Sequence, residues 1–289
     1  MQRIILSLLG LMMAAASAIA QPQPEAYRLY DSKGQPVDFG TMTDSLSKQN
    51  VVFVGEMHNC PVTHWLELKI LQSLYSVKKD MVAVGMEMLE ADNQLIIDEY
   101  LDGVITSDRF ENECRLWPNY STDYEPLVEF ANEHKLRVFA TNVPRRYANS
   151  VKNNGCNILD SLSEEARRYL PPLPLKLKDN EQTKEAFGMM SMMKKNAHPE
   201  FMAQSQALKD ATMAWNISKH QDFLMVHFNG NYHTDGGDGI IHYLKGYWKG
   251  VKFKSICSVR QEDISHLDEC NIGRADFYIC VPEDMVTTY

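Results

Sequence analysis

The chain has 289 residues, 44% of them apolar and 23% charged, and 38 acidic against 29 basic side chains leave a net charge of −9. That balance describes a globular protein and excludes the disordered, collagenous and polytopic membrane classes. Lys and Arg are massed nowhere, so the electrostatic footprint needed for phosphate backbones or anionic lipid is missing and nucleic acid is a poor ligand.

Arg3 precedes an apolar run from Ile4 to Ala16, then Ser17-Ala18-Ile19-Ala20. This order predicts a secretory signal peptide over residues 1–20, cleaved before Gln21. The run is too short to cross a hydrocarbon core of roughly 30 Å as a helix. Residues 21–289 are then expected to form a single α/β domain of an exported protein, periplasmic or associated with the cell surface, with no lipid-attachment cysteine after the cleavage point. Six cysteines (Cys60, Cys114, Cys156, Cys257, Cys270, Cys280) in an oxidising compartment predict one to three disulfides, with the pairing left open.

Next in chain order, Tyr27 to Phe39 reads as a small edge hairpin around Asp31-Ser32-Lys33-Gly34. Short β-rich apolar runs then alternate with longer amphipathic stretches, the pattern of parallel strands joined by crossover helices. Strands are expected at Val51–Gly55, Met81–Glu87, Leu136–Thr141, Phe223–Phe228, Val251–Val259 and Phe277–Val281. Helices are expected at Val62–Val77, from about Glu90 to Leu101, at Tyr124–His134, Arg145–Lys152 and Gly239–Lys245. A helical insertion, from about Asp160 to Lys219 and read as a lid, separates the third and fourth main strands. The fold class is therefore α/β, a mostly parallel sheet with flanking helices and that insertion.

In open α/β sheets ligands collect beyond the carboxyl ends of the strands. Strand one ends in Gly55-Glu56-Met57-His58-Asn59-Cys60, strand two in Gly85-Met86-Glu87-Met88, and strand four in Asn229-Gly230-Asn231-Tyr232-His233. A glycine three residues before a histidine lets the backbone turn and projects the imidazole into the cleft. A third such spacing, Gly239 to His242, falls inside a helix and is set aside. Glu56, His58, Glu87 and His233 form the candidate catalytic set: two imidazoles and two carboxylates suit acid/base chemistry or a Zn or Mn ion, for which His58, Glu87 and His233 are the candidate ligands.

These motifs occur in an order that resembles the ChaN-type haem-binding uptake proteins. The likeness rests on Gly55-Glu56-Met57-His58 with Pro61 and His64, Gly85-Met86-Glu87-Met88, Asn142-Val143-Pro144-Arg145, Gln206 to Ala214, and Gly230-Asn231-Tyr232-His233 with Gly239-Ile240. The family lies in a superfamily with Tiki proteases and erythromycin esterases. The ChaN-like branch implies haem binding and iron acquisition; the other branches imply hydrolysis through His58, Glu87 and His233. The chain departs from the ChaN pattern in having Asn59-Cys60 after the first histidine, where Asp-Asn is usual.

Haem makes sense of the surroundings. A porphyrin needs an apolar slot, an axial ligand and cations for its propionates. His58, His64, Arg145, Arg146, Tyr232 and His233 are the expected binding residues, with Tyr120, Tyr124 and Tyr147 nearby and Met189-Met190-Ser191-Met192-Met193 as a soft covering helix or core material. The expected partners are haem or a similar small molecule, an outer-membrane haem receptor and a second copy of the chain in a homodimer. Two rival readings remain: a metal-dependent hydrolase on the same residues, and an interaction module with no small ligand.

Overall fold

The computed structural model describes residues 24–177 and 198–289. The expected signal peptide over residues 1–20 and the Met189–Met193 cluster lie outside the described residues. The strands are β1 (Arg28–Asp31), β2 (Val51–Glu56), β3 (Val82–Glu90), β4 (Arg137–Asn142), β5 (Leu224–Gly230), β6 (Phe253–Gln261) and β7 (Phe277–Pro282). They form one sheet in the order β1-β7-β6-β2-β5-β3-β4, parallel except for β1, which runs antiparallel to β7 at the edge. All six expected main strands are present.

Helices cover both faces. On one side lie α1 (Phe39–Leu46), α2 (Pro61–Lys78), α3 (Gln94–Leu101), α4 (Ser107–Glu113) and α5 (Glu125–Glu133); α6 (Arg145–Asn154) and the one-turn α7 (Glu164–Arg167) precede α8 (Pro199–Ser218) and α9 (Gly239–Tyr247). Successive strand residues point to opposite faces, and the two cores sort accordingly. Val52, Val54, Val84, Met86, Val226 and Phe228 pack with Ile70, Leu71 and Leu74 of α2 and Leu127 of α5. Val51, Phe53, Ala83 and Met225 pack with Ala211, Ala214 and Ile217 of α8 and Ile240 and Leu244 of α9. Because both faces are covered, β2, β3 and β5 are buried along their whole length.

Three expectations are revised. The hairpin is a strand and turn whose second arm makes only the bridge Tyr30 to Pro36. Asp38 then caps α1, accepting from the Thr41 N–H at 2.8 Å, a helix not foreseen from sequence. The helix expected from Glu90 begins at Gln94, because β3 continues to Glu90, which pairs with Asn142. In the described part of the long insertion, α8 is the crossover from β4 to β5, packed on β4, α6 and α9. All six cysteines are free, so none of the expected disulfides is formed. Among the described residues no helix is long and apolar enough to cross a membrane.

Candidate functional site

The strand order puts β5 between β2 and β3, so the carboxyl ends of three sequence-distant strands lie side by side at the centre of the sheet. Glu56 is in register with Gly230 on one side, and Met86 with Phe228 on the other. Strand alternation then sends the two glutamates to opposite layers. Glu56 continues the Val52–Val54 face toward α2 and α5, whereas Glu87 continues the Ala83 face toward α8 and α9.

On the α8 side, Glu87 Oε1 lies 3.1 Å from His233 Nε2, and its Oε2 accepts the Gly230 N–H at 2.8 Å. His233 Nδ1 is 2.5 Å from Asp210 Oδ1 on α8. All three side chains are buried. Burial opposes charge on His233, but the charges and hydrogen bonds of Glu87 and Asp210 outweigh it and push the imidazole up to about 10. Against the same burial, His233 draws Glu87 down to about 2. The pair is an internal imidazolium and carboxylate, with Asp210 on the far nitrogen. Close approach makes this possible: a methyl group on Gly239 would lie 2.2 Å from the His233 carbonyl oxygen.

On the α2 side, Glu56 Oε1 is 2.5 Å from His58 Nδ1 and accepts the Tyr124 O–H at 2.7 Å. Burial works to raise Glu56, yet His58 and a hydrogen bond with Glu67 hold it below its ordinary value. His64 Nδ1 is 2.9 Å from Glu67 Oε2, and its Nε2 lies 3.1 Å from the His58 carbonyl and 3.5 Å from Asp123. Burial, followed by the charge of Glu56, keeps the Glu67 carboxyl well above its usual range.

His58 joins the two sides. Its side chain is 36% exposed, and a methyl on Gly230 would sit 2.7 Å from Nε2 and 3.6 Å from Glu87 Oε2. Glycine is therefore required at that strand end to let the imidazole approach. Burial disfavours its cation, but Glu56, helped by Glu87, raises its pKa overall. Trp117 packs edge-on to the His58 ring at 5.0 Å, and Tyr232, 48% exposed, stands edge-on to His233 at 5.4 Å.

Glu56, His58, Glu87 and His233 thus meet at one rim, as the motif spacing predicts. The other expected residues divide. His64 is buried beneath His58, with both ring nitrogens engaged by protein groups. Arg145 is paired to Glu90 and Arg146 to Asp92, so both neutralise acidic groups of the rim while their side chains stay about half-exposed. Tyr120 and Tyr124 are buried, and Tyr147 lies under the Arg146 guanidinium. His227 is a packing residue, pushed down to about 4 by burial and hence neutral. Asp210 and Glu67 were not singled out for roles from sequence. The available signal was a carboxylate on the buried stripe of a helix, Glu67 between Leu66 and Ile70 and Asp210 beside Ala211.

A family model described as haem-binding uptake, Tiki superfamily, ChaN matches residues 42–244. No curated protein matches the chain in sequence. Among solved structures, ChaN of Campylobacter jejuni, described with cofacial haem binding, has a TM-score of 0.67 at 18% identity and covers 91% of this chain and 97% of its own. An erythromycin esterase mutant in its open conformation has a TM-score of 0.51 at 10% identity, covering 90% and 98%. A Bacillus cereus protein has a TM-score of 0.50 at 12% identity, covering 84% and 90%. At these identities the structures share the fold, and the family match over most of the described chain carries the assignment: this chain belongs to the ChaN family of haem-binding uptake proteins, within the Tiki superfamily.

Proposed function

We propose that the protein binds haem at the strand-end rim and serves haem or iron uptake as an exported protein. Family membership supports the ligand, and the observation that carries its placement is His58. This imidazole is open to solvent at one edge while its Nδ1 is held by the buried Glu56 carboxylate at 2.5 Å. A metal-ligating histidine characteristically gives its other ring nitrogen to a carboxylate, which fixes the tautomer and strengthens the donor.

The surrounding residues fit the group. Trp117 offers aromatic surface beside His58 and Tyr232 beside His233, and the half-exposed Arg145 and Arg146 bring positive charge to the same end of the sheet. His233 and His64 are supports in this reading, because both are buried and engaged at both ring nitrogens. Burial and the charge of Asp210 push the Tyr232 phenol up to about 12, so without a ligand it keeps its proton at neutral pH. Titrating the purified protein with hemin is expected to give a saturable Soret shift at micromolar concentrations. A linear, unsaturable change would end this reading.

The Glu56–His58 pair also favours a second reading, hydrolysis with His58 as general base. His233 does not suit that role, since it is already a cation at neutral pH. Turnover of an ester or peptide panel that disappears in His58→Ala, in protein that gives no Soret shift, is the outcome that selects it.

A further inference from the structure

Beneath His58, and separate from the Glu87–His233 pair, three buried side chains aim acceptor atoms at one another. One ligand atom each from Glu56, His64 and Glu67 lies within 4.8 Å of the other two. Glu56 is 2% exposed and Glu67 fully buried, and Oε2 of the first and Oε1 of the second have no hydrogen-bond partner. Oε2 of Glu56 lies 3.6 Å from His64 Nδ1, so the unpartnered atom faces the cluster.

His64 Nε2 lies 3.1 Å from the His58 carbonyl, which can only accept, so Nε2 carries a hydrogen. In the neutral imidazole the lone pair is then on Nδ1, directed at two carboxylates. With a second hydrogen on Nδ1, pointing to Glu67 Oε2 at 2.9 Å, the one hydrogen left to stand between the two orphan oxygens is a proton kept by the Glu67 carboxyl itself. Buried carboxylate oxygens left in this way cost free energy unless a proton or a cation stands between them. An imidazole whose far N–H is pinned to a backbone carbonyl, beside two carboxylates, is a donor set for a small first-row divalent ion.

We propose that Glu56, His64 and Glu67 form a binding site for one divalent cation of the zinc or manganese type, set under the His58 rim. Asp123 backs the site: it accepts from Asn119 Nδ2 at 2.7 Å and from the Thr288 hydroxyl at 3.2 Å, and the Thr288 N–H donates to the Asn59 carbonyl across the outer side. Through Glu56, which also holds His58, a bound ion stiffens the rim residue without touching the Glu87–His233 pair.

The test is equilibrium dialysis of the full chain against micromolar zinc chloride, followed by metal analysis and thermal melts, on wild type, Glu67→Gln and His233→Ala. Glu67→Gln is suited to folding because its carboxamide N–H can supply the missing donor to Glu56. The wild type and His233→Ala are expected to retain one equivalent more than Glu67→Gln, and zinc is expected to raise the wild-type Tm by about 3 °C while leaving Glu67→Gln unmoved. Should Glu67→Gln fail to fold, cobalt(II) added to wild type is expected to give visible ligand-field bands with no thiolate charge-transfer band. Equal zinc in wild type and Glu67→Gln, no retained zinc in the wild type, or a thiolate spectrum would overturn the proposal; no retained zinc would leave a shared proton between the two glutamates.

Discussion

His233 illustrates how a single side chain can tie the strand ends together. Its pKa is raised from 6.5 to about 10, so its contribution to stability is complete below about pH 6.5 and is lost as the pH rises toward 10. Glu87 is lowered from 4.5 to about 2, so its contribution is present above 4.5 and is lost as the pH falls toward 2. Together the pair favours folding most between these limits, and chemical denaturation across pH is expected to show stability declining on both sides. Asp210→Asn removes one of the two carboxylates on the ring; a loss of about 3 kcal/mol at neutral pH is expected, with the His233 titration moved down by NMR. An unchanged His233 titration in that variant would show that Asp210 does not hold the charge.

At the level of elements, the six parallel strands were legible because both of their faces are covered, which makes each a short run of mostly apolar residues such as Val51–Val54 or Leu224–Val226. Glu56, His58, Glu87 and His233 were legible because each follows or ends such a run, where a polar residue has few places to go but the rim. What was not legible depends on contacts between distant segments. Nothing local to Asp210 reveals that α8 brings it to His233, and nothing local to Arg145 or Arg146 reveals Glu90 and Asp92 as their partners. The start of α3 was misplaced because Glu90 belongs to the β3–β4 pairing, a tertiary fact. Gly230→Ala places a methyl 2.7 Å from His58 Nε2, against the far end of a side chain that can move. The variant is expected to fold, with its Tm within about 5 °C of wild type, and to bind hemin at least about tenfold more weakly. Unchanged hemin affinity would mean that Nε2 need not occupy that position.

For the whole molecule, the doubly covered sheet concentrates ionisable groups at one end in two layers, an imidazolium pair on the α8 side and a carboxylate cluster on the α2 side, with His58 between them. Export, proposed from Arg3 and the Ile4–Ala16 run, predicts that protein recovered from the periplasm or cell surface begins at Gln21; recovery with Met1 intact would contradict it. The most direct measurement of the central claim is hemin affinity in wild type and in His58→Ala, each followed by its Soret band. If His58 is where the rim meets its ligand, the substitution should weaken binding by about tenfold or more and change the spectrum of the complex, while far-ultraviolet circular dichroism stays the same. A folded His58→Ala protein with wild-type affinity and an identical spectrum would contradict it.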